Sequence, residues 1–333
     1  MTSENLDGFD RLHPAFRDAP DNLAKGHHGG GGLPPELVEG SPFELPLRVR
    51  TGPDLKPASR RGPELTGRVI GGCHLESVVA TARAATVYSG TDAESGEERA
   101  VKILRADPRI LCREPHLFQA IEQLRHDNVV TVHRAGCDGE LAFVVMDLLT
   151  GGTLASKLET HERGLPLLEG LRAMREVVAG LVAAHAHGVI HADLKPGNVL
   201  FDSAGVARVV DFGLACAVVD RGRLRGGMVH GIPAYVSPED CSGEELTTAS
   251  DLYSLGATFY HAFVGRPPFV AAKVTAVLLK HTYEEPSPPI EVRSDLPPAL
   301  SNLLLQLLEK DPARRSESAE AVLRAIDAIL RDM

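Results

Sequence analysis

The chain has 333 residues, 43% of them apolar and 24% charged. Those are ordinary globular proportions, and they exclude wholesale disorder, a collagen-like chain and a membrane bundle. Thirty-five basic against 45 acidic side chains leave a formal charge of -10, so most of the surface repels nucleic acid and anionic lipid, and neither is expected as a partner. No run approaches the ~18 apolar residues of a membrane span, and no secretory signal is visible at the start, so the expected location is cytoplasmic.

Residues 1–65 hold nine glycines and nine prolines, including HHGGGG at 27–32, a composition that cannot build a packed core. This stretch reads as a flexible arm. From residue 66 short β-like runs follow one another, GRVIGGCHLESVVA, ATVYSGTD and ERAVKILRA, separated by turn residues. A helix is expected around Glu114–Leu124, then two more strands in NVVTVHRAG and LAFVVMDLL. Beyond Gly151 apolar residues recur at three and four: in LEGLRAMREVVAGLVAAHAHG, in SDLYSLGATFYHAFVG, near Lys273–His281 and in two closing segments, which predicts helices. A β-rich half thus precedes an α-rich half. The five cysteines, Cys73, Cys112, Cys137, Cys216 and Cys241, form no CxxC pair, and free thiols are expected rather than a disulfide framework or zinc site.

The most informative strings are HADLKPGNVLFD (191–202), VVDFGLA (209–215), GIPAYVSPE (231–239) and DLYSLG (251–256). A lone Asp in any of them would be a cap or turn residue. Together, in this order and at these spacings, they resemble the catalytic loop, metal-binding motif and peptide-docking segment of the eukaryotic-type protein kinases, most closely the bacterial serine/threonine kinases. The resemblance covers residues 66–333. It implies an α+β, protein kinase-like bilobal fold, with a small β-rich lobe over 66–148 and a larger α-helical lobe over 149–333.

It also implies ATP and Mg2+ as cofactors and a protein substrate, because phosphoryl transfer needs a positioned triphosphate and neutralised charge. By resemblance Asp211 and Asn198 hold magnesium, a hard cation that takes oxygen ligands. Asp193 receives the proton of the attacking hydroxyl, and Lys195 sets a cation beside the transferring group. Lys102 grips the α- and β-phosphates. Val79, Val87, Ala100 and Leu200 enclose the adenine, Met146 guards the back of the pocket, and the backbones of Asp147 and Leu149 pair with the base edge.

The chain departs from the family's pattern in several places. The phosphate loop, GxGxxGxV in the family, aligns with Ala80, Thr81, Ala82, Arg83, Ala84, Ala85, Thr86 and Val87. Alanine stands at all three glycine positions, where a methyl group stiffens the loop and obstructs close approach to phosphate. Weaker nucleotide handling is expected, with Arg83 offering charge in compensation. The helix glutamate that pairs with the strand lysine aligns with Leu117; the partner is either Glu114, one turn earlier, or absent, and Glu122 is expected to point elsewhere. HAD replaces HRD at 191–193, and between Asp211 and Glu239 the only hydroxyls are Tyr235 and Ser237. Control by activation-loop phosphorylation is therefore not expected. Ile232 stands where the serine/threonine branch carries threonine. Glu239 is expected to pair with Arg315, and Asp251 to brace the catalytic loop.

The leading expectation is an ATP-dependent protein serine/threonine kinase. The alternative is a pseudokinase, a nucleotide-binding or scaffolding module with little turnover. A kinase of small molecules, such as aminoglycosides or lipids, is disfavoured by the docking segment GIPAYVSPE.

Overall fold

The computed structural model describes residues 65–82, 85–104, 115–212 and 233–333. The expected arm at 1–65 lies outside them apart from Leu65, as do Arg83, Ala84, Glu114 and Ile232. Six strands form one antiparallel sheet: β1 (Val69–Ile70), β2 (Cys73–Thr81), β3 (Ala85–Asp92), β4 (Glu98–Leu104), β5 (Val132–Asp138) and β6 (Leu141–Asp147), in the order β1-β2-β3-β4-β6-β5. The run GRVIGGCHLESVVA is thus a hairpin rather than a single strand: Gly71 and Gly72 both take positive φ and turn β1 back onto β2.

Strand alternation sorts β4 between two apolar groups. Val101 and Ile103 join Tyr88, Phe143 and Val145 on one face. Ala100 and Leu104 join Val132, Val144 and Met146 on the other, where helix α1 (Pro115–Gln123) packs through Phe118 and Ile121. Lys102, two residues from each of these, shares the second face, which is the face turned toward the rest of the molecule.

The helical half contains α2 (Leu154–Glu159), α3 (Leu167–Ala186), α4 (Pro238–Ser242), α5 (Thr248–Val264), α6 (Val274–Tyr283), α7 (Pro289–Val292), α8 (Pro298–Leu307) and α9 (Ala319–Arg331). Helix α5 is buried nearly all round and lies in the centre; its Leu252, Leu255, Phe259 and Phe263 share one core with residues of α3, α8 and α9. Between α3 and α4 runs a small hairpin, β7 (Val199–Phe201) and β8 (Ala207–Val209).

Two sets of backbone bonds hold β7 and β8 in place, one from the hinge and one across the halves. The Gly151 N–H donates to the Phe201 carbonyl (2.9 Å) and the Phe201 N–H to the Gly152 carbonyl (2.9 Å). Only glycine fits at 151, since a Cβ there would lie 2.5 Å from the Asp202 carbonyl oxygen. On the other side, Val130 N–H donates to Val209 and Val209 N–H to Asn128. The chain after β6 is thereby fixed against the strand that follows residue 198.

One expectation fails. Cys137, on β5, is disulfide-bonded, whereas Cys73 and Cys241 are free; Cys112 and Cys216 lie outside the described residues. Cys137 belongs to no CxxC pair, and spacing rules, which look for such pairs, leave its bond unmarked.

Candidate active site

The β7–β8 hairpin does most of the assembly. Its register pairs Val199 with Val209, so the residues just outside it, Asn198 and Val210, face each other, and Val210 N–H donates to the Asn198 carbonyl (3.0 Å). Asn198 ends a 3-10 turn (Pro196–Asn198), and Asp211 follows Val210 with φ 69°, a left-handed conformation that aspartate tolerates better than most side chains. The Asn198 amide donates to the Asp193 carbonyl (2.9 Å) and carboxylate (3.3 Å), and Lys195 Nζ meets the same carboxylate at 2.5 Å. Asp193, Lys195 and Asn198 are one hydrogen-bonded group.

From the sheet side, Lys102 Nζ lies 2.6 Å from Asp211 Oδ2. Burial alone would raise the Asp211 carboxyl, but the Lys102 charge and hydrogen bond, helped by Lys195, outweigh it and hold the group below the usual carboxylate range. The site thus holds two bonded groups, Lys102–Asp211 across the junction of the halves and Asp193–Lys195–Asn198 beside it, brought together by the backbone bond from Val210 to Asn198. Among the described residues Asp211 is the anionic partner of Lys102. Glu122 accepts from the Ala135 N–H (2.6 Å) and is directed at β5.

The loop backbone is strained and held. Ala192 sits at φ 65°, which costs a side-chain-bearing residue about 1–2 kcal/mol. Buried Asp251 compensates: one of its oxygens accepts the Ala192 N–H and the other the His191 N–H, each at 2.8 Å, while His185 Nε2 contacts the latter oxygen at 2.8 Å. The His191 ring is enclosed, with Nε2–H donating to the Val210 carbonyl (2.9 Å) and Nδ1 accepting the Asp193 N–H (3.2 Å). Burial lowers its pKa and keeps it neutral, as that pair of bonds requires. The sequence assigns no part to His185 or His191; His191 opens the HADLKPGN string and His185 precedes it, but nothing in the spacing tells which ring nitrogen faces which backbone group.

Residues expected around the adenine gather unevenly. Ala100 and Met146 belong to the apolar group under the sheet, and Val87, Leu149 and Leu200 pack against it. Val79 does not; it lies where the β2–β3 pairing slips between Val78 and Ala80, and it is 44% exposed. The Asp147 N–H is taken by the Thr131 carbonyl (3.1 Å), and its carboxylate meets His133 Nε2 at 2.7 Å. In the phosphate loop Ala80 and Thr81 are paired with Val87 and Thr86, and the Ala82 N–H donates to the Ala85 carbonyl (2.8 Å).

A family model described as the protein kinase domain matches residues 75–325. The chain belongs to the protein kinase family. Among curated relatives, this kinase chain is 34% identical over 279 residues to the serine/threonine-protein kinase PknA of Mycobacterium tuberculosis, covering 81% of this chain and 63% of PknA. It is also 34% identical to the DNA damage-responsive serine/threonine-protein kinase RqkA of Deinococcus radiodurans, covering 81% of this chain and 42% of that protein. To PknB of Mycolicibacterium smegmatis it is 33% identical, covering 72% and 40%. The chain thus spans less than two thirds of these relatives' own length.

Two polar contacts stand out in the kinase's helical half, the first of them the pair expected from the family. Glu239 and Arg315 form a buried bidentate pair, both contacts at 2.8 Å, to which the Ser250 hydroxyl adds a bond. Tyr235, in the docking segment, reaches His261 Nδ1 at 2.7 Å.

Whether the residues present suit magnesium can be judged from the donors. Asp211 is ionised, and the Asn198 amide oxygen and the Asp193 carboxylate are hard oxygen donors close by. Among the described residues no three His, Cys, Asp or Glu side chains form a metal cage. Magnesium is commonly held by one or two carboxylates together with substrate phosphates rather than by an all-protein cage, and this donor set fits that mode.

Proposed function

We propose that the chain transfers the γ-phosphoryl group of ATP to serine or threonine hydroxyls of protein substrates. The observation that carries this reading is the Lys102–Asp211 pair at the junction of the two halves, next to the bonded group of Asp193, Lys195 and Asn198, supported by family membership and by relatives named as serine/threonine kinases. Magnesium, when bound by Asp211 and Asn198, neutralises charge on the nucleotide phosphates. Lys102 gives up part of its pairing with Asp211 to hold the α- and β-phosphates. Asp193 orients the acceptor hydroxyl and takes its proton as the new O–P bond forms, the bond from the γ-phosphorus to the bridging oxygen breaks, and ADP leaves. Lys195, already on Asp193, faces the charge that spreads over the transferring group. Ala100, Val87, Met146 and Leu200 supply apolar surface for the adenine.

No described helix is long and apolar enough to cross a membrane, and a cytoplasmic reaction on protein acceptors, without nucleic acid or lipid, completes the proposal. The decisive assay incubates the full chain with γ-labelled ATP, magnesium and a generic protein acceptor, then identifies the labelled amino acid. Phosphoserine or phosphothreonine is expected. Magnesium-dependent nucleotide binding without label transfer would instead assign a pseudokinase.

A further inference from the structure

The transfer chemistry leaves one carboxylate at the site unused. A small pocket beside the catalytic loop is lined by Asp193, Leu194, Val236, Ser237, Asp240 and Ser254 of α5. Asp240 follows Glu239 directly, but the two neighbours differ in every respect that matters. Glu239 spends both oxygens on Arg315. No cation or donor meets the Asp240 carboxylate among the described residues.

A helix-capping role would explain an acid at this place, the third position of α4, and half of the capping arrangement is present: the Asp240 N–H donates to Ser237 Oγ (3.3 Å). The reciprocal bond, from the Ser237 N–H to the Asp240 carboxylate, is not made. The side chain instead lines the pocket with Asp193. Burial, with Asp193 and Glu239 adding repulsion, pushes its pKa up to about 7. Two carboxylates lining one pocket, with no cation on Asp240 among the described residues, repel each other, and a cation brought to the mouth of the pocket relieves both.

The acceptor hydroxyl of a substrate must come within hydrogen-bond reach of the Asp193 carboxylate. An extended peptide advances about 3.3–3.6 Å per residue, so a side chain entering the same pocket belongs to a residue adjacent to the acceptor or one beyond. We infer that Asp240 is a specificity-determining residue that selects protein substrates carrying arginine or lysine beside the phosphoacceptor. Arginine suits it better, since a planar guanidinium meets a carboxylate through two parallel bonds. The inference rests on the kinase reading above.

A positional-scanning serine/threonine peptide library, phosphorylated by the full chain and by its Asp240→Asn and Asp240→Arg variants, tests it. The parent should favour a basic residue at one position next to the acceptor by about tenfold or more in kcat/KM. The asparagine variant should lose that preference through KM, and the arginine variant should turn it toward Asp or Glu. Thermal melting at pH 8 separates this from misfolding: an acid held above its ordinary pKa without a partner burdens the fold, so the asparagine variant should melt at or above the parent, whereas a structural role would lower it. An unchanged preference profile, or none for basic residues in the parent, overturns the inference. Anisotropy of a fluorescent basic peptide, without nucleotide, keeps the two readings apart. Asp240-dependent binding with no transfer would retain the pocket and remove the kinase; transfer indifferent to Asp240 would do the opposite.

Discussion

At the scale of single residues, Asp251 keeps the catalytic loop in a conformation it would otherwise leave. It is 1% exposed and accepts from two backbone N–H groups and contacts His185. Asp251→Ala leaves those buried donors unmet and should cost about 3–5 kcal/mol in denaturant unfolding; a loss under 1 kcal/mol would show the loop to be held elsewhere. Buried histidines set the acid response. Burial lowers His281 to about 3 and His261 to about 4, and it lowers His191 as well. As pH falls below about 6.5 the unfolded chain takes up protons at these positions while the folded chain does not, so stability falls, by about 2 kcal/mol at pH 5 for a group such as His281. Asp240 works the other way, since the folded chain binds its proton near pH 7 and the unfolded chain only near the ordinary 3.8. Melting curves between pH 8 and 5 should show a net acid loss, steeper in Asp240→Asn than in the parent; equal slopes would contradict the assignment. Asp251, Glu239 and Arg315 were legible because each sits in a recognisable string. The histidines and Asp240 were not, because burial and the lack of a partner arise only when distant segments meet.

At the scale of elements, the phosphate loop shows what its alanines do. The strands on either side stay paired to Thr81 and Thr86, and the next amide inward, Ala82 N–H, is bonded to Ala85. A hairpin closed this tightly offers fewer free amides to phosphate than a glycine loop, whose backbone can rearrange around the ligand. Restoring glycine at Ala80, Ala82 and Ala85 together should tighten magnesium–ATP binding several-fold in an equilibrium titration, at a cost of about 0.5–1 kcal/mol per glycine in fold stability. Equal affinity would show that the closed hairpin already binds nucleotide fully. The sequence made this departure visible at once, as it did α3 and α5, whose apolar periodicity runs over many turns. It did not show the slip in β2 that places Val79 outward, because bulges depend on the partner strand. Nor did it show the hairpin between β1 and β2, which lies inside one β-like run.

At the scale of the whole molecule, the site exists only because two independently packed halves meet. Lys102 is carried by the sheet, and Asp193, Lys195, Asn198 and Asp211 by the segment around β7 and β8. Four of these five lie within 19 positions of one another, and their grouping could be read from a single stretch of chain. The contact with Lys102, nearly a hundred residues earlier, could be expected only from the family pattern. Glycines at the hinge and the bonds from residues 128–130 to β8 hold that contact in register. The central claim is that this convergence performs phosphoryl transfer with Asp193 as the base. It is tested most directly by single-turnover transfer from γ-labelled ATP, comparing the parent with Asp193→Asn while nucleotide affinity is measured in parallel. Asp193→Asn should bind ATP as the parent does and transfer it about 10²–10⁴-fold more slowly. Equal transfer rates at equal affinity would contradict it.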